Sequence, residues 1–304
     1  MILYYISNQI RYIGGNMDKF IITIDSSCDI SYSYCEENDV YPLLMKYNIE
    51  DQIFQDTMEE EDIKMFYDKM RNGAVPKTTQ INSSEYIKFW VPLLKHNLPI
   101  IHLSLSSGLS GTYQSGVNAI ELIKEEYPNA KIYIIDTLMA SGGICLPLFK
   151  LIEMRNNGID YEETYQWVEN NKLHVNTYYT TPEMVYLQRG GRVKKITSVL
   201  AGILKINPIL KVNNEGHLVT HQTVTGSKKA MKRIVELVVN SFEREKNDYI
   251  VISHSDCIDR AHELGAMLKE KLNIDKIIYT TIGSTIGAHT GPGLIAVFYY
   301  GLKR

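Results

Sequence analysis

The chain has 304 residues, of which 44% are hydrophobic and 22% charged, and its formal net charge is −3. A chain of this length can bury a large core and more often forms two domains than one. The small negative charge gives no electrostatic case for binding nucleic acid. No apolar run reaches the ~20 residues that a membrane-spanning helix needs, and no C-x-x-C pair of a zinc or redox motif is present.

The N-terminal residues 1–16, MILYYISNQIRYIGGN, lack the apolar region and the small-residue cleavage site of a signal peptide. Met17 opens a more conventional α/β beginning, so we hypothesise that it is the native start and that residues 1–16 are an upstream extension. We predict that the cysteines are buried free thiols. Together with the missing signal peptide, free thiols favour a reducing cytoplasm.

In the first half, short β-rich apolar runs alternate with amphipathic helical stretches, a pattern typical of parallel α/β architecture. The predicted strands cover residues 20–25, 40–46, 100–105 and 131–136. The predicted helices cover residues 60–71, 83–95, 111–126 and 141–156. Asp25 and Asp136 each end a strand and precede Ser or Thr, and we interpret both as turn and cap residues.

The second half begins near residue 171 and is predicted to be a further α/β unit. A hairpin joins strands at 208–212 and 217–223 through a turn at 213–216. A long basic helix is predicted at 228–246, and the other strands cover residues 176–180, 249–254, 276–282 and 295–301. The predicted organisation is therefore an extension at 1–16, an N-terminal α/β domain at 17–170 and a C-terminal α/β domain at 171–304.

Residues 100–115, IIHLSLSSGLSGTYQS, join an apolar strand to a helix through a loop of small hydroxyl residues and glycines. In α/β proteins, ligands usually bind at this junction, where unpaired N–H groups favour an anion. No lysine follows the glycines, so the loop is not a P-loop and suits a carboxylate better than a triphosphate. Ser110 alone could simply cap the helix, but the density of Ser and Gly over 106–111 favours a binding site.

Two other polar segments carry candidate binding residues. In KTTQINSS, at 77–84, Thr78 and Thr79 can donate hydrogen bonds into a cleft, although a capped loop also explains them. In the glycine-rich segment 281–293, which we predict to be a loop, His289 is either a structural residue or points into a cavity.

Two further segments leave alternatives open. In LQRGGR, at 187–192, two arginines project from a predicted glycine turn, which is either an exposed basic loop or a recognition patch for a phosphate or an acidic partner. Residues 198–210 are almost wholly apolar and could form plain core or line an apolar tunnel.

A nucleophilic triad can be imagined from Ser110, His289 and Asp136, but the chain has no G-x-S-x-G elbow. It also has no Walker A, G-x-G-x-x-G, H-E-x-x-H or EF-hand sequence. The usual motifs for nucleotide and metal chemistry are therefore missing, and no metal site is predicted.

Taken together and in this order, the motifs resemble the DegV family of bacterial fatty-acid-binding proteins over roughly residues 18–301. The resemblance rests on these segments: DSSCDI at 25–30, KTTQINSS at 77–84, SSGLSGTYQS at 106–115, LQRGGRV at 187–193, GILKINPIL at 202–210 and IGAHTGPG at 286–293.

The resemblance implies two α/β domains, with a mainly parallel sheet in the N-terminal one and one long-chain fatty acid held between them. It implies the B-type subunit of a bacterial fatty acid kinase, a carrier without turnover of its own and without a cofactor. A separate catalytic subunit would phosphorylate the presented carboxylate with ATP, giving acyl phosphate for phospholipid synthesis. Nucleic acid is not expected as a partner, and membrane contact would be transient at most.

The resemblance also implies roles for individual residues. Thr78, Ser110 and His289 match family positions that bind the carboxylate, and one departure is Ile81, which replaces the family's proline and loosens the turn after Thr78. Besides the carrier, two readings remain open: a ligand-sensing regulatory protein, and a serine hydrolase using Ser110 and His289. The remaining assignments are Ser106, Ser107, Gly111 and Thr79 in the supporting head-group loop, and Arg189 and Arg192 on the kinase-docking surface.

Overall fold

The computed structural model of the chain describes residues 20–193 and 206–304. Its first half builds a four-stranded sheet in which every neighbouring pair is parallel, hereafter the parallel sheet. The two central strands are buried along their whole length, as expected when helices cover both faces. In spatial order the strands are β2 (Val40–Leu43), β1 (Ile21–Asp25), β6 (Ile100–Ser104) and β7 (Ile132–Asp136).

The helices of the first half cover the parallel sheet and agree with the amphipathic pattern of the sequence. The four predicted helices are all confirmed, and their ends differ from the predicted ones by at most two residues. Two short or moderate helices, α1 and α6, were not predicted. The six helices are α1 (Tyr32–Glu37), α2 (Glu60–Arg71), α3 (Ser83–Leu93), α4 (Thr112–Glu126), α5 (Gly142–Asn156) and α6 (Tyr161–Asn171).

The second half builds a six-stranded mixed sheet, hereafter the mixed sheet. Among its neighbouring strands, only β11 and β12 run parallel. In spatial order the strands are β10 (Leu218–Thr225), β9 (Ile206–Val212), β8 (Val175–Thr180), β13 (Ile295–Tyr300), β11 (Tyr249–His254) and β12 (Lys276–Thr281). Its helices are α7 (Val185–Gly190), α8 (Ser227–Ser241), α9 (Ile258–Leu272) and α10 (Ser284–Thr290).

The strand predicted at 40–46 is wrong as a single element. It divides into β2 and a second strand, β3, which belongs to a small antiparallel sheet of three strands. Pro42 is tolerated because β2 lies at the edge of the parallel sheet, and the chain then leaves that sheet where Met45 N donates to Ser26 Oγ. The small sheet was not predicted, and its strands are β4 (Gln52–Gln55), β3 (Lys46–Ile49) and β5 (Lys77–Thr79).

Three predictions in the second half are corrected by the structure. The glycine-rich segment 281–293 contains helix α10 rather than only loop, and the first residues of the predicted turn at 187–192 belong to α7. Helix α8 ends at Ser241 instead of continuing to 246. Glycine disfavours helix in isolation, but packing decides at α10: a Cβ on Gly287 would lie 2.6 Å from the hydroxyl of Tyr67.

Helix α5 connects the two halves through the core. Eleven of its 15 residues are buried, and it packs against β11 and β13 of the mixed sheet. The approach is close, since a Cβ on Gly142 would lie 2.6 Å from Ser253 Oγ and 2.8 Å from Phe298 Cδ2. One buried apolar cluster therefore runs through both halves, and the domain boundary at 170/171 stays a prediction, as does the extension at 1–16, which lies outside the described residues.

The prediction of buried free thiols can be compared with the fold. Cys28, Cys35 and Cys145 are buried free thiols, as predicted, while Cys257 is half-buried. Within residues 20–193 and 206–304, no helix is long and apolar enough to span a bilayer, and no cluster of His, Cys, Asp or Glu could hold a metal ion.

Candidate functional site

A cavity of about 540 Å³ lies where loops of the first half meet the mixed sheet. This volume falls within the roughly 300–1,000 Å³ typical of small-molecule sites. Both halves of the chain contribute to its walls, and much of the lining is aliphatic or aromatic. The apolar lining residues are Met45, Leu105, Leu109, Ala140, Val212, Leu218, Ile282, Ile286, Leu294, Ala296 and Phe298.

The structure brings most of the predicted site residues to this one cavity. Thr78, Ser110 and His289, which are widely separated in the sequence, all line it. Four other predicted residues also line the cavity: Thr79, Ser107, Gly111 and Arg192. Two predicted residues, Ser106 and Arg189, are not among its lining residues.

His289 is a neutral imidazole hydrogen-bonded to a hydroxyl. Its Nε2 lies 2.8 Å from Thr78 Oγ1, and its Nδ1 has no hydrogen-bond partner within the described part of the chain. Burial, and then the positive charge of Arg192, lower the pKa of His289 to about 4. At neutral pH the ring can therefore donate one N–H and accept one bond, but it carries no charge.

The two glycines that follow Arg189 have separate structural reasons. A Cβ on Gly190 would lie 2.5 Å from His289 Nδ1, so only glycine lets α7 approach the imidazole this closely. Gly191 has φ +64 and ends α7 in the left-handed conformation that favours glycine. The predicted sharp turn is thus correct at Gly191, and the other glycine makes room for His289.

Ser110 lies two residues before the start of α4, and its hydroxyl is hydrogen-bonded locally. Its Oγ is 2.9 Å from Thr112 Oγ1 and accepts a bond of 3.2 Å from Thr112 N. The N-cap residue is Gly111 rather than Ser110, which corrects the capping alternative. Thr112 Oγ1 also accepts a bond of 3.4 Å from Ile81 N, so the loop after β5 is tied to the start of α4.

Ser106 supports the loop rather than lining the cavity. Its fully buried hydroxyl donates to Gly216 O at 2.9 Å and accepts from Gly108 N at 3.1 Å. Gly216 belongs to the turn between β9 and β10, and His217 Nδ1 lies 2.7 Å from Gly108 O. These bonds attach the hairpin of the second half to the hydroxyl-rich loop of the first.

The aspartates that end β1 and β7 hold loops, in agreement with their interpretation as turn and cap residues. Asp25 accepts hydrogen bonds from Leu105 N at 2.8 Å and from Ser27. Complete burial raises the pKa of Asp25 to about 6. Asp136 accepts from Ser107 N at 3.1 Å and from Leu138 N at 3.1 Å.

Two buried carboxylates that the sequence reasoning missed position the helix that carries His289. Asp56 accepts from Ser284 N at 3.1 Å and from Thr285 N at 3.2 Å, and Asp29 accepts from Gly283 N at 2.8 Å. Burial raises the pKa of both carboxyl groups. Asp29 lies inside the DSSCDI motif, which was a usable signal, whereas nothing in the local sequence singles out Asp56.

The imagined nucleophilic triad is not assembled. The Ser110 hydroxyl meets Thr112, His289 Nε2 meets Thr78, and Asp136 accepts from backbone amides. No hydrogen bond joins Ser110, His289 and Asp136 to one another within the described residues.

The two predicted docking arginines differ in position. Arg192 lines the cavity, and its guanidinium donates to Leu109 O at 3.4 Å and to Gly190 O. Arg189 is exposed on α7. The lysines at 194 and 195 and most of the apolar segment 198–210 lie outside the described residues, so the tunnel predicted there stays a prediction.

Comparisons with known proteins match nearly the whole chain. Residues 19–302 match a family model described as "Uncharacterised protein, DegV family". A DegV domain-containing protein of Clostridium perfringens is 35% identical over 286 residues, which cover 94% of this chain and 98% of that protein. A protein of Thermotoga maritima named fatty acid-binding protein is 31% identical over 292 residues, covering 94% of this chain and 99% of its own.

A solved structure is similar to this chain in its fold. It is that of a hypothetical protein from Thermotoga maritima said to reveal fatty acid binding function, and it is 29% identical with a TM-score of 0.82. The match covers 94% of this chain and all of that one. The α/β fold and the family that the ordered motifs predicted are both confirmed, and the chain belongs to the DegV family.

Proposed function

We propose that this protein binds one long-chain fatty acid in the cavity and presents its carboxylate to a separate ATP-dependent kinase subunit. The observation that carries the proposal is that most apolar lining residues of the cavity are buried, whereas four of its polar lining residues, Thr78, Ser110, Arg192 and His289, are exposed or half-buried. The relative and the solved structure from Thermotoga maritima support the class of ligand, because both are described as binding fatty acids.

The mouth cluster, defined as Thr78, Ser110, Arg192 and His289, supports binding of a carboxylate. Arg192 is exposed and the other three are half-buried, so a group held there remains accessible to a partner. When His289 donates its Nε2 proton to Thr78 Oγ1, the Thr78 hydroxyl is free to donate to the carboxylate. Each such charge-assisted bond contributes about 1.5–3 kcal/mol in a shielded site.

The acyl chain supplies most of the affinity in this proposal. At ~0.8 kcal/mol per buried CH₂, a long chain contributes roughly 10 kcal/mol before ordering costs. One lost hydrogen bond at the mouth is small beside that sum. Substitutions at the mouth should therefore impair presentation of the carboxylate more than retention of the ligand.

The ligand is tested by extraction. Protein purified from bacteria is extracted with organic solvent, and the extract is quantified by mass spectrometry. We expect long-chain fatty acid in a one-to-one ratio with protein. Absence of any acyl species, together with esterase turnover that Ser110→Ala removes, would favour the hydrolase instead.

Presentation is tested with the kinase subunit from the same source. Loaded protein, ATP and that subunit should yield acyl phosphate. Arg189→Ala should lower the rate a few-fold at limiting carrier and leave fatty acid affinity unchanged, because rim charges act mainly on association. Arg233→Ala on α8 removes the same charge from a half-buried position on another helix and serves as the control. If acyl phosphate never forms, the kinase role fails and a sensing role gains support.

A further inference from the structure

Strand β8 places two hydroxyl side chains on the interior surface of the cavity. Thr177 and Tyr179 are two residues apart, so they face the same side of the mixed sheet. Both line the cavity, and so do their cross-strand partners on β13, Phe298 beside Thr177 and Ala296 beside Tyr179. Only 3% of Thr177 and 5% of Tyr179 is exposed. We call these four residues the inner wall.

Neither hydroxyl of the inner wall is hydrogen-bonded. Thr177 Oγ1 and Tyr179 Oη have no partner among the residues that the structure describes. A buried hydroxyl without a partner is costly, and Val or Phe would provide nearly the same shape without that cost. A purely aliphatic ligand would leave both groups unsatisfied.

We propose that the preferred ligand is a long-chain fatty acid carrying an oxygen substituent, hydroxyl or keto, along its chain. This inference rests on the proposed fatty acid site and names the ligand class more closely. Thr177 and Tyr179 can each donate to such an oxygen, and each can accept from a hydroxyl. The oxygen substituent would therefore supply the hydrogen-bond partner that the two buried hydroxyls lack.

The strand register places Thr177 further than Tyr179 from the end of β8 that leads to α7. Thr180, which pairs with Ile295, is at the end of β8 that leads to α7. Helix α7 in turn carries Gly190, which lies beside His289. Thr177 lies three residues before Thr180 on β8, a separation of roughly 10 Å at 3.3 Å per residue. The oxygen substituent would thus lie on the body of the acyl chain.

The test compares stearic acid with a panel of monohydroxystearic acids, each hydroxylated at a different carbon of the chain. Delipidated full-length protein is titrated with each acid by calorimetry. We expect at least one isomer to bind about tenfold more tightly than stearic acid, which corresponds to about 1.4 kcal/mol. Thr177→Val and Tyr179→Phe should each reduce that preference without weakening stearic acid.

Matched controls exist for both substitutions. Thr180 on the same strand and Tyr300 on β13 also have buried hydroxyls without a partner in the described part of the chain. Neither lines the cavity. Thr180→Val and Tyr300→Phe should leave the preference for the hydroxylated acid unchanged.

Two results would overturn the inference. One is wild-type protein that binds stearic acid at least as tightly as every isomer. The other is a preference that survives in both Thr177→Val and Tyr179→Phe. If neither stearic acid nor any isomer binds, the proposed fatty acid site itself is wrong, and this outcome is distinct because stearic acid binding is measured separately.

Discussion

The mouth cluster and the inner wall both bring hydroxyl groups to one cavity, but their hydrogen bonding differs. At the mouth, Thr78 meets His289 and Ser110 meets Thr112. On the inner wall, the hydroxyls of Thr177 and Tyr179 have no partner in the described residues. The protein itself therefore fixes the orientation of the mouth, whereas the polar groups of the inner wall depend on whatever fills the cavity.

The positioning of the mouth also depends on the first half of the chain. Asp29 and Asp56 accept hydrogen bonds from the first backbone amides of α10, the helix that carries His289. No corresponding side-chain support reaches Thr177 or Tyr179 in the described structure. The four predictions below test this contrast in order of expected effect.

Filling the inner wall should have the largest effect. Ala296 is 3% exposed and pairs with Tyr179 across the strands, so Ala296→Phe places a ring in the cavity. We expect the bound fatty acid to be lost, with destabilisation of about 1–3 kcal/mol from overpacking. Acyl content by mass spectrometry and thermal unfolding measure the two effects.

The control for this substitution is Val297→Phe on the same strand. Val297 packs in the apolar cluster beneath α8 and α9, on the face away from the cavity. Val297→Phe should destabilise the protein about as much as Ala296→Phe does, but the bound fatty acid should be retained. Full retention of fatty acid in Ala296→Phe would show that the inner wall does not hold the chain.

Removing the support of the mouth should have the next largest effect. Asp56→Asn places an amide NH₂ near backbone N–H groups that now donate to a buried carboxylate. We expect the free energy of unfolding to fall by about 2–3 kcal/mol, as measured by urea denaturation of delipidated protein. Glu61→Gln, on the exposed face of α2, is the control. A decrease of less than about 0.5 kcal/mol, the size usual for surface substitutions, would contradict the supporting role of Asp56.

Removing a single hydroxyl of the mouth cluster should impair presentation of the carboxylate to the kinase more than retention of the fatty acid. For Ser110→Ala we expect about a tenfold lower rate of acyl phosphate formation, equivalent to about 1.4 kcal/mol, and only a few-fold weaker binding. Ser83→Ala, whose hydroxyl donates to Ser115 O at 2.8 Å outside the cavity, is the control. Complete loss of fatty acid from Ser110→Ala would contradict an affinity dominated by the acyl chain.

The smallest expected effect is on the pH dependence of stability. Because burial holds the folded-state pKa of His289 near 4, below the roughly 6.5 of an unfolded chain, the unfolded state binds more protons between these values. Stability from this group is fully present above about pH 6.5 and is lost as pH falls toward 4. Fully buried His102, with a pKa of about 3, acts in the same direction.

Asp25 acts in the opposite direction. Its folded-state pKa of about 6 exceeds its ordinary value, so its contribution falls as pH rises from about 4 to 6. We expect His289→Gln to flatten the acid limb of the stability profile without abolishing it, because His102 remains. Urea denaturation at several pH values measures the slope, and an unchanged slope in His289→Gln would contradict a neutral buried imidazole.

Local pattern explains what the sequence could predict about the fold. Helix α2 was predicted at its observed bounds because apolar residues recur at helical spacing among charges. The central strands of the parallel sheet were predicted because they are short, mainly apolar runs. The small sheet and α10 were missed, since short strands and glycine-rich helices have weak local signals and form through tertiary packing.

The sequence by itself determined the family, the α/β class and several of the polar residues that line the cavity, because these follow from ordered motifs and local periodicity. Only the tertiary structure decided which hydroxyls have partners. The Thr78–His289 bond joins residues 211 positions apart, and the Asp56–Ser284 bond joins residues 228 apart. No local spacing encodes such contacts, which arise when the two halves pack together, and the same packing leaves Thr177 and Tyr179 buried without partners in the described structure.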